Sequence, residues 1–264
     1  MRTIVYTFES PVTLSVASRL VKSGHVSAVI VQKPMNLGAK LSFLKRRLAR
    51  YGASRVADEI LFKVFHALFL KRADERLRRD HLHVDRAATK DSLASRVDFF
   101  EVDSLNTEQG RALLQRLQPD LVVMASREMI RPEVLSIPRI GFVGCHPGIL
   151  PEYRGVYAPF WAMRDGRPDK VGLTVYLANA GVDTGPLITE RILKPRFGLQ
   201  HFKVESEHLI LEGTKDLIDT IEKAGRGALN TYTKPQAESR MYSHIGLTDY
   251  LRAVTRSAGP RAAR

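Results

Sequence analysis

The run that most restricts the fold is Asp120–Ala125, a near-continuous apolar segment bounded by polar residues. A strand without a polar face has to be covered on both sides, which a half-solvated antiparallel sheet does not require. Thr3–Thr7 and Ser27–Val31 are short β-branched runs separated by a helical pattern over Val12–Lys22, a βαβ opening. Val97–Val102 and Gly141–Cys145 supply further strands, and Asn106 with Gln109 resembles a capping box at a helix start. Val171–Leu177 and Leu187–Leu193 flank a turn through Gly181–Gly185, close enough to pair as a hairpin, and a long helix over Glu205–Ala224 follows. Such alternation predicts an α/β fold of Rossmann-like, doubly wound type: a mostly parallel sheet with helices on both faces and a terminal antiparallel hairpin strand.

The region 37–91 interrupts this alternation and reads as a helical insertion. Leu41, Leu44 and Leu48 recur at i, i+3 and i+7, and Ile60–Leu70 is richly apolar with basic flanks. The chain of 264 residues carries a formal charge of +13, about half of it in this region, so its field favours anionic partners without choosing among them. A segment like Leu61–Leu70 can rest on an anionic membrane surface or mediate self-association; burial against its own domain is the reading preferred here. Residues 1–240 are expected to form one catalytic domain, and 241–264 a polar tail, frayed from Ser257 onward. The first residues read as strand and loop instead of a secretion leader, and the single cysteine, Cys145, forms no internal disulfide; both point to the cytoplasm.

His146 directly follows the Gly141–Cys145 strand, and Asp183 sits in the glycine-bounded turn after Val171–Leu177. Ligands of doubly wound sheets lie at the carboxyl ends of the strands, and both residues are expected at that edge. A histidine titrates near neutral pH and can shuttle protons, and a carboxylate beside it favours the imidazolium. The first strand is followed by Phe8-Glu-Ser-Pro11, with no Gly-x-Gly-x-x-Gly, which argues against a dinucleotide; there is no Gly-Lys-Ser/Thr phosphate loop either. Asp183-Thr-Gly matches the aspartic protease triplet, but those enzymes need two copies and this chain has one.

His146-Pro-Gly-Ile-Leu-Pro-Glu-Tyr-Arg-Gly155 followed by Gly181-Val-Asp-Thr-Gly-Pro186 resembles the folate-dependent formyltransferases, which act on glycinamide ribonucleotide, methionyl-tRNA or sugar nucleotides. The resemblance runs over about residues 1–240 and is weakest at 37–91. It implies transfer of a formyl group from 10-formyltetrahydrofolate to a primary amine, without a metal. It assigns catalysis to His146 and Asp183, and the folate pocket to Ser126, Arg127, Met129, Ile130, Ala178, Gly181 and Val182. Ser10, Tyr153, Arg154 and Gly155 would border the acceptor. The family usually carries Asn two residues before the histidine, where this chain has Gly144; an oxyanion donor of that kind is worth roughly 3–4 kcal/mol. The acidic residues expected before Gly-x-Asp are replaced by Asn179-Ala180, and Asn179 is the expected substitute donor. A small anionic amine, above all a nucleotide-linked amino sugar, is preferred as acceptor. Transfer RNA comes second, because too few residues follow the last long helix for a C-terminal barrel. A homodimer, a formyltetrahydrofolate hydrolase and a catalytically silent folate- or RNA-binding relative remain as alternatives.

Overall fold

A computed structural model of the chain describes residues 1–126 and 128–258. The βαβ opening is present as β1 (Thr3–Phe8), α1 (Pro11–Lys22) and β2 (Val26–Gln32). The side chain of Ser10 caps α1 by accepting from the Thr13 amide, and Pro11 occupies the first turn, where no amide donor is needed. The insertion follows as α2 (Leu37–Tyr51), α3 (Ala53–Phe65), a π-helical turn (His66–Leu70), α4 (Lys71–His81) and the short α5 (Lys90–Ala94). The alternation resumes with β3 (Asp98–Val102), α6 (Glu108–Leu117), β4 (Leu121–Ala125), α7 (Pro132–Leu135) and β5 (Gly141–His146). Next come β6 (Arg154–Gly155), α8 (Ala158–Arg164), β7 (Gly172–Leu177), β8 (Leu187–Ile192) and α9 (Phe202–Gly225). The chain folds back through β9 (Met241–Tyr242) and α10 (Leu247–Ala258).

The main sheet has the order β3-β2-β1-β4-β5-β7-β8, with β3 to β5 parallel and β7 and β8 antiparallel, as the doubly wound reading with a terminal hairpin predicts. Alternate side chains divide its core in two. Val5, Val29, Val123, Val143 and Val175 pack with Leu14, Ala17, Leu217 and Ile221 of α1 and α9. Ile4, Tyr6, Ile30, Val122 and Phe142 pack on the other face with Leu114, Leu117 and Val134 of α6 and α7. Strand order reverses between β1 and β4, so the carboxyl ends of these two strands and of β5 form the crevice at the switch point. No described helix is long and apolar enough to cross a membrane.

Two expectations fail here. The segment after 241 is a packed element: Tyr250 of α10 lies against Phe62 (ring centroids 5.2 Å apart) and Phe160, and β9 pairs with β6. The reading of Ser257–Arg264 as frayed concerns side chains at 257 and 258 and residues 259–264, which lie outside the described residues. The insertion is also only partly buried. Val56, Glu59, Phe62 and His66 face inward, whereas α2 buries no residue and Leu61, Val64, Leu68 and Phe69 are exposed. The inward face is already complete with aromatic rings from α9 and α10, which leaves the second apolar stripe outside.

The insertion is pinned to the domain by Asp74, only 1% exposed, which hydrogen bonds His66 Nε2 (2.8 Å) and His201 Nδ1 (2.7 Å). Burial alone would raise the Asp74 carboxyl; hydrogen bonds from His66 and His201, then the charges of His66 and Arg78, outweigh it and hold the group below its ordinary value. Replacing Asp74 with Ala leaves two imidazoles without their acceptor and is expected to cost about 3 kcal/mol in urea unfolding. The depressed carboxyl contributes stability that is present above the ordinary aspartate pKa and is lost as pH falls through the lowered folded value. Unfolding of the parent should therefore become easier across the acid range, and that slope should shrink in Asp74→Ala.

Candidate active site

His146 ends β5 and is buried. Its Nε2 lies 2.7 Å from the carbonyl of Tyr153, which can only accept, so Nε2 carries a proton and donates it. That bond fixes the ring and leaves Nδ1 turned toward Asp183 Oδ2, 3.6 Å away. The loop that supplies the Tyr153 carbonyl is itself tied down: Thr174 Oγ1 donates to Gly148 O (2.7 Å) and accepts from the Leu150 amide (3.2 Å). Gly148 is obligatory, because a Cβ there would stand 2.4 Å from that of Ala158 and 2.9 Å from His146 Nε2.

Asp183 reaches this ring by a route the sequence does not suggest. Because β7 runs antiparallel to β5, its end lies back along the sheet, with Leu177 opposite Val143. The turn after it then doubles over the sheet face. Asp183 sits there at φ +50°, a left-handed conformation that aspartate tolerates better than most residues. Its Oδ2 accepts from the Gly155 amide (2.9 Å) and its Oδ1 from the hydroxyl of Tyr176 (2.7 Å). Burial, then the adjacent Asp183 charge and the hydrogen bond to it, push the Tyr176 phenol well above its ordinary value, so it stays a donor at neutral pH.

Tyr176 also explains Gly144. The two are directly paired across β5 and β7, and a Cβ on Gly144 would meet the Tyr176 ring at 3.0 Å from Cε1 and 3.3 Å from the hydroxyl oxygen. The phenol therefore fills the space into which a side chain at 144 would grow. Asn179, the expected substitute donor, is exposed, and its Oδ1 accepts from the Gly181 amide (3.0 Å) and Thr184 Oγ1 (2.6 Å), which shapes the turn.

The remaining expected site residues fall into three groups. Around the acceptor loop, Gly155 binds Asp183, and the Arg154 guanidinium donates to the Val182 carbonyl (3.3 Å), fastening the loop to the Asp183 turn. Tyr153 presents its carbonyl to His146, while its ring is buried in a stack on Tyr242. Ser10 serves as the α1 cap at the end of β1. In the loop after β4, Met129 is 62% exposed whereas Ile130 is packed in the core; Ser126 donates to Gln32 and accepts from the Glu128 amide. Arg127 lies outside the described residues. Ala178 packs beside Leu150 and Tyr176, and Gly181 and Val182 form the turn itself.

Sequence reasoning missed two residues, Tyr176 and Glu128. The Glu128 carboxylate accepts from the hydroxyls of Tyr6 and Ser104 and from Asn106 Nδ2 (3.0 Å), and Asn106 also holds the Met129 carbonyl (2.8 Å). This cluster closes the loops after β3 and β4 over the switch point. The Cys145 thiol, by contrast, is pushed up to about 12 by burial, which excludes it as a thiolate nucleophile.

The formyl transferase family matches residues 71–194, a span that contains His146, Tyr176 and Asp183. A methionyl-tRNA formyltransferase of Bordetella parapertussis is 32% identical over 130 residues, 48% of this chain and 41% of that protein; the chain thus matches less than half the length of this relative. Among solved structures, glycinamide ribonucleotide transformylase 1 from Symbiobacterium toebii superposes with a TM-score of 0.55 at 20% identity, covering 92% of this chain and 94% of that one. An N-formyltransferase from Helicobacter canadensis, in complex with folinic acid and dTDP-3-aminofucose, gives 0.55 at 13% identity over 96% of this chain and 80% of its own. These structures share the fold of the present chain. The sequence match makes residues 71–194, the stretch that bears the site, similar to the formyl transferase family.

Proposed function

We propose that this protein transfers a formyl group from 10-formyltetrahydrofolate to a primary amine carried by a nucleotide-linked sugar. The observation that carries the reading is the buried His146 ring, held through Nε2 so that only Nδ1, facing Asp183 at 3.6 Å, can exchange a proton. The co-substrate, when bound, supplies the formyl carbon. Residues at the crevice suit a flat molecule with apolar and amide groups: Met129 stands exposed, and the exposed Gly181 leaves the turn backbone uncovered. His146 takes up a proton at Nδ1 as the attacking amine forms its bond to the formyl carbon, and returns it to the folate nitrogen as the carbon–nitrogen bond to the folate breaks; Asp183 balances the charge on the ring in between. The Gly155 amide and Tyr176 hydroxyl keep that carboxylate aimed, and the burial of the imidazole limits proton loss to bulk water.

The acceptor assignment rests on the dTDP-sugar complex of the Helicobacter canadensis neighbour and on the +13 charge, which favours a phosphorylated acceptor. The test is to follow tetrahydrofolate formation from 10-formyltetrahydrofolate with a dTDP-amino sugar, glycinamide ribonucleotide, charged initiator tRNA or no amine. Release that depends on the amino sugar is expected. Equal release without any amine would mean hydrolysis, and release only with tRNA would overturn the acceptor. In Asp183→Asn, which loses the charge facing Nδ1, turnover should fall by about 10²-fold or more, with KM for the amine changed much less.

A further inference from the structure

The helical insertion exposes an apolar surface that its own domain leaves uncovered. Leu41, Leu44 and Leu48 form one stripe of α2, and Leu37 extends it; all are exposed, Leu37 to 72%, as is Phe43 on the side of Arg47. Ile60, Leu61 and Val64 of α3 and Leu68 and Phe69 of the π turn continue the surface, the last two about 70% exposed. What fastens α2 to α3 is polar. Arg47 donates to the buried Glu59 at 2.7 Å while its guanidinium lies over the rings of Phe43 and Tyr51. The leucine stripe is therefore left over from packing, not consumed by it.

The charges on α2 have one sign, whereas α3 also carries Asp58 and Glu59, and Lys71 beyond it stands 3.8 Å from Glu75. Helix α2 carries Lys40, Lys45, Arg46, Arg47 and Arg50 and no acidic residue. Lys63, Lys71 and Arg72 stand exposed on the neighbouring turns. A single exposed leucine needs no explanation, but a helix with leucines along one side and cations along the other does. A nucleic acid would satisfy the cations and leave the leucines in water. A second copy docked on the same face would cover the leucines but set two rows of cations against each other. An anionic lipid surface satisfies both, with the leucine side entering the boundary between headgroups and acyl chains and the cations meeting lipid phosphates.

We infer that the α2–α3 hairpin is a docking surface for an anionic membrane, with α2 lying in the plane of the interface. The proposal does not depend on the reaction assigned above, and its test reads no activity. The full chain is sedimented with phosphatidylcholine vesicles, or with vesicles of phosphatidylcholine and phosphatidylglycerol at three to one, in 0.1 M and 0.5 M NaCl. Two variants accompany it, Leu41→Ser/Leu44→Ser/Leu48→Ser and Lys45→Gln/Arg46→Gln/Arg50→Gln. None of these six side chains is buried, so both variants should retain the parent's melting temperature.

Binding to the anionic vesicles is expected, at least tenfold weaker on neutral vesicles and in the higher salt. The charge variant should lose about 100-fold, near fivefold for each cation removed, and the leucine variant a comparable factor. No binding to anionic vesicles overturns the proposal, as does equal binding to neutral ones or binding that survives the leucine changes. If the chain ignores vesicles but forms a dimer in sedimentation velocity that the leucine changes abolish, the occupant is a second copy. If it ignores vesicles but binds RNA through the three cations alone, the occupant is nucleic acid; either result replaces the membrane.

Discussion

His146→Ala is expected to abolish most of the proposed formyl transfer, with kcat falling by roughly 10³-fold, within the usual range for removal of a positioned acid–base group. The ring has no other exchangeable position to compensate, since Nε2 is committed to the Tyr153 carbonyl and Nδ1 alone faces Asp183. The loss should appear equally in kcat and kcat/KM, because no part of the acceptor binding falls on a buried imidazole. His146→Gln separates proton transfer from packing. Glutamine can donate to the same carbonyl but cannot relay a proton at neutral pH, so it should restore stability relative to alanine while leaving turnover as low. Single-turnover measurements with the folate pre-bound would check this, and a His146→Gln enzyme retaining more than a tenth of the parent rate would remove the histidine from the reaction.

The scaffold around this residue was legible in the sequence because its signals are local. Apolar runs without polar alternation marked β4, and the short link between β7 and β8 announced their hairpin. What sequence could not supply was register across distance. The antiparallel placement of β7 against β5 brings Tyr176 beside Gly144, yet 31 positions separate them and nothing local encodes the pairing. Helix α10 was readable and overlooked: Leu247, Tyr250, Leu251 and Val254 fall at i, i+3, i+4 and i+7, but the polar residues between them hid the period. For the insertion, periodicity gave the apolar stripes but not what covers them, because a stripe looks the same whether it faces a core or a solvent boundary.

Gly144 is the position where the resemblance predicted the largest loss, and the Tyr176 ring fills the space beside it. Introducing Asn there drives a side chain into the Tyr176 ring, whose nearest carbon would already be 3.0 Å from a Cβ. Overpacking in a strand flanked on both sides costs about 2–3 kcal/mol, and moving the phenol also breaks its 2.7 Å bond to Asp183. Gly144→Asn should therefore melt earlier and lose about 10²-fold in kcat, although it adds the amide the family usually carries. Tyr176→Phe keeps the packing and removes only the hydrogen bond to the carboxylate, so it should cost about 1.5–3 kcal/mol of stability and, with Asp183 aimed less well, about 10- to 100-fold in kcat. The double variant Gly144→Asn/Tyr176→Val frees the space and should recover stability over Gly144→Asn alone. The two positions then show a coupling energy above about 1 kcal/mol in a double-mutant cycle, as groups in contact do. Additive effects on melting temperature and rate would mean that the phenol does not occupy the place of the missing amide. A double variant faster than the parent would show that the tyrosine aims Asp183 less effectively than an amide at residue 144 serves the reaction.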